Sequence, residues 1–340
     1  MRGSVAGGDL KVFTTCPVSV LAEPRSCRAR LAQIARWSED AGCEGILVFT
    51  DNAQLDPWLV SQVIVDATER LCPLVAVQPV YMHPYTVAKM VTSLAFLYGR
   101  RVYLNMVAGG FKNDLVALGD ATPHDERYSR LIEYTTIVQK LLEGDGPVSF
   151  EGRGYNVTNL KLAPPLPREL RPGVFVSGSS EAGLEAARRL GATAIEYPKP
   201  AAEHAAARPA GIDSSGIRIG VVARPGEAEA WSVARERFPE DRKGQLAHQL
   251  AMKVSDSSWH RQLSELGERP ERHPYWLEPF NNYKAVCPYL VGSYERVASE
   301  VSRYLDIGFR TFILDAPAGP EELTHTAAVF ERAAASRLAA

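Results

Sequence analysis

The sequence of 340 residues contains no apolar run near the ~18–20 residues that cross a bilayer as a helix, so no membrane partner is expected. Its N-terminus, MRGSVAGGDLKVF, lacks the long apolar core of a signal peptide. Cysteine is scarce: Cys16, Cys27, Cys43, Cys72 and Cys287 are odd in number, scattered, and form no CxxC pair. That spacing argues against a disulfide framework or a structural zinc site and suits a reducing cytoplasm. Excess charge is missing too, since the net charge is −2 with no basic stripe to meet nucleic acid. What remains is an ordinary globular composition, 46% hydrophobic and 23% charged. The length suffices for one large α/β domain or two ordinary ones.

Several catalytic devices are absent as well. No GxSxG elbow supports a serine hydrolase. No HExxH or clustered His/Asp set offers metal ligands at helical spacing, and no lysine-bearing P-loop is found. GRG at 152–154 follows no strand and is not a dinucleotide fingerprint. A chain without strong chemical groups of its own fits an enzyme whose cofactor does the chemistry.

What the sequence does contain is alternation. Short aliphatic runs at 10–15, 45–50, 74–78, 101–107, 174–177, 192–197, 217–223 and 311–315 read as strands. Helical patterns lie between them at 28–41, 57–70, 84–98, 125–142, 181–190, 227–237, 294–305 and from 321 onward. Glycines at 42 and 308 end two of the helices, and Asp56–Pro57 starts another. Eight strands, each followed by helix, predict a parallel sheet closed as a (β/α)₈ TIM barrel, with an open doubly wound sheet as the alternative. Residues 1–340 read as a single barrel domain with two excursions. The first, about 143–173, holds a β-hairpin and a proline-rich linker; the second, about 238–292, holds a helix at 245–266 and reads as a lid.

The stretch VFVSGSSEAGLEAARRL at 174–190 joins the fifth strand to a helix through a small polar turn. A helix start offers unpaired N–H groups to an anion, and its serines either cap the helix or bind that anion.

LVAVQPVYMHPYTVAKMVTSLAFLYGRRVYLNMVAGG, HDERYSRLIEYTTIVQKLLEGDGPVSFEGRGYNVTNLKLAPP and VFVSGSSEAG together resemble the bacterial luciferase-like flavin monooxygenases. Within that superfamily the similarity is greatest to the alkanesulfonate monooxygenase branch, and it returns at LVGSYERVASEVSRYLDIGFRTFILDAP. The resemblance implies a barrel that takes reduced FMN from a separate flavin reductase. One atom of O2 enters a small organic substrate and the other leaves as water. It further implies Thr50 facing the isoalloxazine, Asn105 by the ring or ribityl chain, and Arg127 and Tyr128 on the phosphate side. Ser179 and Ser180 would hold the phosphate itself. The family's habit suggests a homodimer or homotetramer.

Blander roles stand beside these. Asn105 fits a strand-end turn, Arg127 could pair with Asp125, Glu126 or Glu133, and Trp259, Tyr275 and Trp276 could simply pack. The substrate end departs from the alkanesulfonate pattern. Gln54 stands nearest the family's cysteine, Gly220 at its histidine and Ala316 at its tyrosine. The mobile loop is shortened, which leaves Lys284 as the nearest cation. The expected substrate is therefore a different small molecule, such as a biosynthetic intermediate. His83, His260 and Lys284 are the acid/base or substrate-binding candidates, and no metal ligands are expected. The competing readings are a deazaflavin F420-dependent oxidoreductase and a flavin-binding protein without turnover.

Overall fold

Each aliphatic run becomes a strand in the structure, a computed structural model that describes residues 10–19, 23–207, 215–254, 258–266 and 273–338. The first half of the chain runs β1 (Lys11–Thr15), α1 (Pro24–Asp40), β2 (Gly45–Val48), α2 (Pro57–Ala67), β3 (Cys72–Val77), α3 (Pro84–Tyr98) and β4 (Tyr103–Val107). It continues through α4 (Lys112–Ala117), α5 (His124–Glu143) and a hairpin of β5 (Val148–Glu151) and β6 (Asn156–Leu160). Next come β7 (Gly173–Ser177), α6 (Glu181–Leu190), β8 (Thr193–Glu196), α7 (Ala201–Ala207), β9 (Ser215–Arg224) and α8 (Glu227–Arg237). The segment that the sequence suggests as a lid holds α9 (Arg242–Val254), α10 (Ser258–Ser264), β10 (Tyr275–Trp276) and α11 (Glu278–Asn281). The chain then closes with β11 (Tyr289–Ser293), α12 (Tyr294–Ile307), β12 (Thr311–Leu314) and α13 (Pro320–Leu338).

Eight of the strands, in the order β9-β12-β1-β2-β3-β4-β7-β8, pair in parallel, and the β8–β9 ladder shuts the barrel. Local chemistry sets the helix starts. The Asp56 carboxylate accepts from Trp58 N and Leu59 N, both at 3.0 Å, with Pro57 in the first turn of α2. Closure makes a lumen, and period-2 alternation points Phe13, Leu47, Leu74, Phe175, Ile195 and Ile313 into it. Phe13 meets Tyr103 and Phe175 edge-on, at 5.1 and 5.4 Å between centroids. A fully buried aromatic ring of this kind contributes roughly 2–3 kcal/mol, and here the rings plug the barrel floor. The opposite faces of the strands pack under the surrounding helices.

The lid region differs from expectation. The helix predicted at 245–266 is two helices, α9 and α10, with 255–257 outside the described residues. β9 is ten residues long, and its second half pairs with β11, a ninth parallel strand the sequence reading did not anticipate. β10 adds to β11 antiparallel, so the lid is stitched to the barrel wall by main-chain bonds. Among the described residues, no helix is long and apolar enough to cross a membrane. All five cysteines are free, and burial pushes the Cys43 thiol up to about 12, well away from reactivity.

Candidate active site

Two residues beyond the apolar plug, the same alternation builds a second ring at the C-terminal ends of the strands. It is polar on most strands: Thr15, Asn105, Ser177, Tyr197, Arg218 and Asp315, with Phe49 and Ala76 between. Thr15 Oγ1 donates to Leu314 O at 2.6 Å, and Ser177 Oγ donates to Asn105 Oδ1 at 2.8 Å. Ser177 thereby fixes the Asn105 amide with its NH2 group turned the other way. Asn105 is only 4% exposed, which sets it apart from a strand-end turn residue.

Arg218 dominates the ring. Its neighbours Ile217 and Ile219 lie in the outer core, so its side chain enters the lumen from the middle of β9. There the guanidinium stacks 4.8 Å over Phe49 and reaches the Tyr197 hydroxyl through a long 3.5 Å contact. Arg218 is 5% exposed, and its Nε and Nη2 atoms are buried without a hydrogen-bond acceptor. Desolvation opposes the charge, but Tyr197, Cys287 and Asp315 outweigh it and hold the group protonated. A buried cation so poorly matched is a donor set awaiting an acceptor. The sequence reading missed it. The signal was a charged residue inside an aliphatic run, because a barrel strand is covered on both faces and the charge must face the lumen.

Gly220, the position noted for its lack of a histidine, is also explained. A Cβ built there would fall inside the ring of Tyr289 from β11, so the aromatic ring occupies that space. The Tyr289 hydroxyl donates to Asp315 Oδ2 at 2.6 Å, and burial followed by the Asp315 charge pushes its pKa well up. Tyr289 is therefore a neutral donor that orients the carboxylate beside Arg218.

Across the ring lies the turn after β7. Ser180 caps α6 by accepting from Gly183 N at 3.1 Å, and Ser179 Oγ accepts from Tyr197 N at 3.1 Å. Tyr128 is wedged against the turn, where a Cβ at Gly178 would meet its hydroxyl. Burial raises the Tyr128 pKa, and a hydrogen bond with Ser180 moderates the rise. Arg127 is buried as well, not spread on the surface. Among its candidate partners, Asp125 also meets His124, Glu126 meets Arg153, and Glu133 accepts from Arg153 N and Gly154 N of the hairpin turn. The structure thus brings Tyr128, Ser179 and Ser180 together around the first turn of α6, with Arg127 buried next to Tyr128 on α5.

Thr50 lies on the other side, in a cleft of ≈ 420 Å³ over the ends of β2 and β3. Gln54, Gln78 and Tyr81 also line it, and the Tyr81 hydroxyl donates to Asn52 Oδ1 at 2.7 Å.

The three acid/base candidates are not gathered here. His83 is exposed, and its Nδ1 accepts from Tyr85 N, which makes it the cap of α3. The Lys284 ammonium is held by Asp241 at 2.6 Å on the lid. His260 is buried in the lid, where its ring lies 5.2 Å from His248 and 5.0 Å from Phe280. Burial, then His248, lowers its pKa to about 4. The aromatic residues pack: Trp259 lies on Tyr197 at 3.6 Å and 7°, Tyr275 donates to Pro198 O, and Trp276 meets Trp231. No group of three metal-binding side chains occurs among the described residues.

Comparison with known proteins adds three findings. A family model described as luciferase-like monooxygenase matches residues 11–311. A protein of Niallia circulans is 38% identical over 307 residues, covering 88% of this chain and 89% of its own. It is named 4-(gamma-L-glutamylamino)butanoyl-[BtrI acyl-carrier protein] monooxygenase BtrO. Among solved structures, the long-chain alkane monooxygenase LadA superposes with a TM-score of 0.73 at 17% identity, covering 97% of this chain and 92% of its own. An F420-dependent secondary alcohol dehydrogenase superposes at 0.62 with 16% identity, covering 95% and 99%. These two likenesses concern the fold.

Proposed function

Because this chain belongs to the luciferase-like monooxygenase family and is therefore an oxidoreductase, we propose that it uses reduced FMN and O2 to hydroxylate an acyl group held on an acyl-carrier protein. The observation that carries the reading is the polar ring at the C-terminal ends of the barrel strands. It is rich in hydrogen-bond donors and contains a buried cation with unmatched N–H groups.

The residues fit a flavin mononucleotide. A dianionic phosphate suits the first turn of α6, where helix N–H groups, the Ser179 and Ser180 hydroxyls and Tyr128 converge, and Arg127 next to Tyr128 would supply the cation. Asn105 would present its NH2 group to the polar edge of the ring system, and Thr50 would border the ring from the cleft. Reduced FMN, when bound, supplies the electrons that activate O2 for transfer of one oxygen atom.

This chain's own work is placement and exclusion. Arg218 donates Nε–H and Nη2–H to a carbonyl or carboxylate oxygen of the substrate, which turns its desolvation cost into orientation. Tyr289 holds Asp315 in place to balance that charge. The lid, stacked on Tyr197 through Trp259, keeps water from the reacting atoms. No side chain in the ring is needed as a strong acid or base. A separate flavin reductase would deliver the cofactor, and the relative's name supports a carrier-bound acyl thioester as substrate.

Anaerobic titration with reduced FMN, followed by O2 and mass spectrometry of the acyl product, tests the reading. Tight binding and a product heavier by one oxygen atom are expected. Preference for reduced F420, or flavin binding without any product, would overturn it.

A further inference from the structure

We propose that the exposed face of α9 is where the acyl-carrier protein docks, an inference that rests on the carrier-bound substrate proposed above. Over residues 242–250, α9 turns only a narrow stripe inward, with His248 its one buried residue. Leu246 and Leu250 stand outward, 60% and 63% exposed, one turn apart. Arg242 and Lys243 precede them on the same face, both exposed, and α9 carries no acidic residue. Asp241, just before the helix, is already held by Lys284.

Neither feature helps the free protein. Cations in the first turn oppose the helix macrodipole, and adjacent exposed leucines on a surface helix gain nothing from water. Both make sense against a partner that is acidic with an apolar centre. A carrier protein is such a partner, because a pantetheine arm joined through a phosphodiester puts negative charge beside its acyl cargo. On a chain of net charge −2, this local positive face is complementary to it.

The place is also right. The His248 ring lies 6.0 Å from Tyr283, and Tyr283 lies within electrostatic range of Asp51, which lines the cleft, so α9 stands on the cleft's side of the barrel.

The test compares one acyl group on two handles: the 4-(γ-L-glutamylamino)butanoyl thioester of holo-BtrI, and the same thioester on free pantetheine. For Leu246→Asp with Leu250→Asp, KM for the carrier-bound substrate should rise about tenfold, ~1.4 kcal/mol of lost docking. Turnover of the pantetheine thioester should stay at the wild-type level. Arg242→Glu with Lys243→Glu should raise the same KM and flatten its dependence on salt. Equal losses on both substrates would make α9 part of the lid and overturn the proposal. Unchanged KM on the carrier would place docking elsewhere and overturn it while the carrier-bound reading stands. Wild-type enzyme that prefers the pantetheine thioester would overturn that reading and the proposal with it. Conversion of a wild-type dimer to monomers by these variants would assign the face to a second copy instead.

Discussion

Arg218 is a buried cation that Tyr197 and Asp315 hold charged while two of its N–H groups stay unmatched. Removing it strips the half-buried Asp315 carboxylate of a balancing charge, which costs stability, up to the roughly 3–5 kcal/mol of a broken buried pair. Arg218→Met is therefore expected to melt below the wild-type temperature in circular dichroism. Its turnover should fall on the order of 10²-fold, the usual cost of losing a preorganised donor. A variant that melts early with normal turnover would make Arg218 a structural residue. Gly220 and Tyr289 are coupled by space. Gly220→Ala should cost about 1–3 kcal/mol through overpacking against the Tyr289 ring. Adding Tyr289→Ala should recover part of that loss, because the two changes share one contact. Denaturant melts of both single variants and the double variant measure the coupling. At this scale the sequence was legible where a motif was local: the SGSS turn reads as a strand-to-helix junction, and Ser180 caps α6 there. Arg218, Tyr289 and Asp315 come from three separate strands, and their meeting depends on barrel register that no short stretch encodes.

The α6 turn separates capping from ligand binding within one element. Ser180 caps through Gly183 N, so Ser180→Ala should cost about 1 kcal/mol of stability as well as flavin affinity. Ser179 instead ties the turn to Tyr197 N, and Ser179→Ala should lower flavin affinity with a smaller change in melting. Paired melts and flavin titrations distinguish the two; equal stability losses with intact affinity would leave both serines as scaffolding. The lid pair α9 and α10 carries a pH response of its own. His248 is lowered by burial, and His260 is lowered by burial and by His248 from its ordinary 6.5 to about 4. Both are thus neutral when the lid is packed and gain protons when it opens. Their contribution to lid stability is complete above the ordinary value and is lost as pH falls from about 6.5 toward 4. Hydrogen exchange should show α9 and α10 losing protection at about pH 5 relative to about pH 7.5, with the barrel strands unchanged. The lid was the least legible element because β11 begins within CPYLVGSYERV and runs straight into a helix. Its pairing to the long β9 is a tertiary event that overrides the local pattern.

For the molecule as a whole, the barrel was readable because all eight lumen strands carry the same aliphatic signature between amphipathic helices. Quaternary structure follows from what those helices leave uncovered. Leu59 on α2 and Leu97 on α3 are 66% and 75% exposed, and Phe96 and Met90 stand out on the same helix α3. The two helices are neighbours, since Gln62 Nε2 donates to the Tyr98 hydroxyl at 2.9 Å. A monomer rarely leaves a contiguous apolar patch beyond a few hundred Å² in water, and a twofold axis lets one such patch cover its own copy. We expect sedimentation velocity at micromolar concentration to give a dimer. Phe96→Asp with Leu97→Asp should dissociate it without lowering the affinity for reduced FMN, because α3 faces away from the lumen ring. If the wild type sediments as a monomer across that range, this face does not associate. If the variant loses flavin together with the dimer, the partner copy supports the site across the interface.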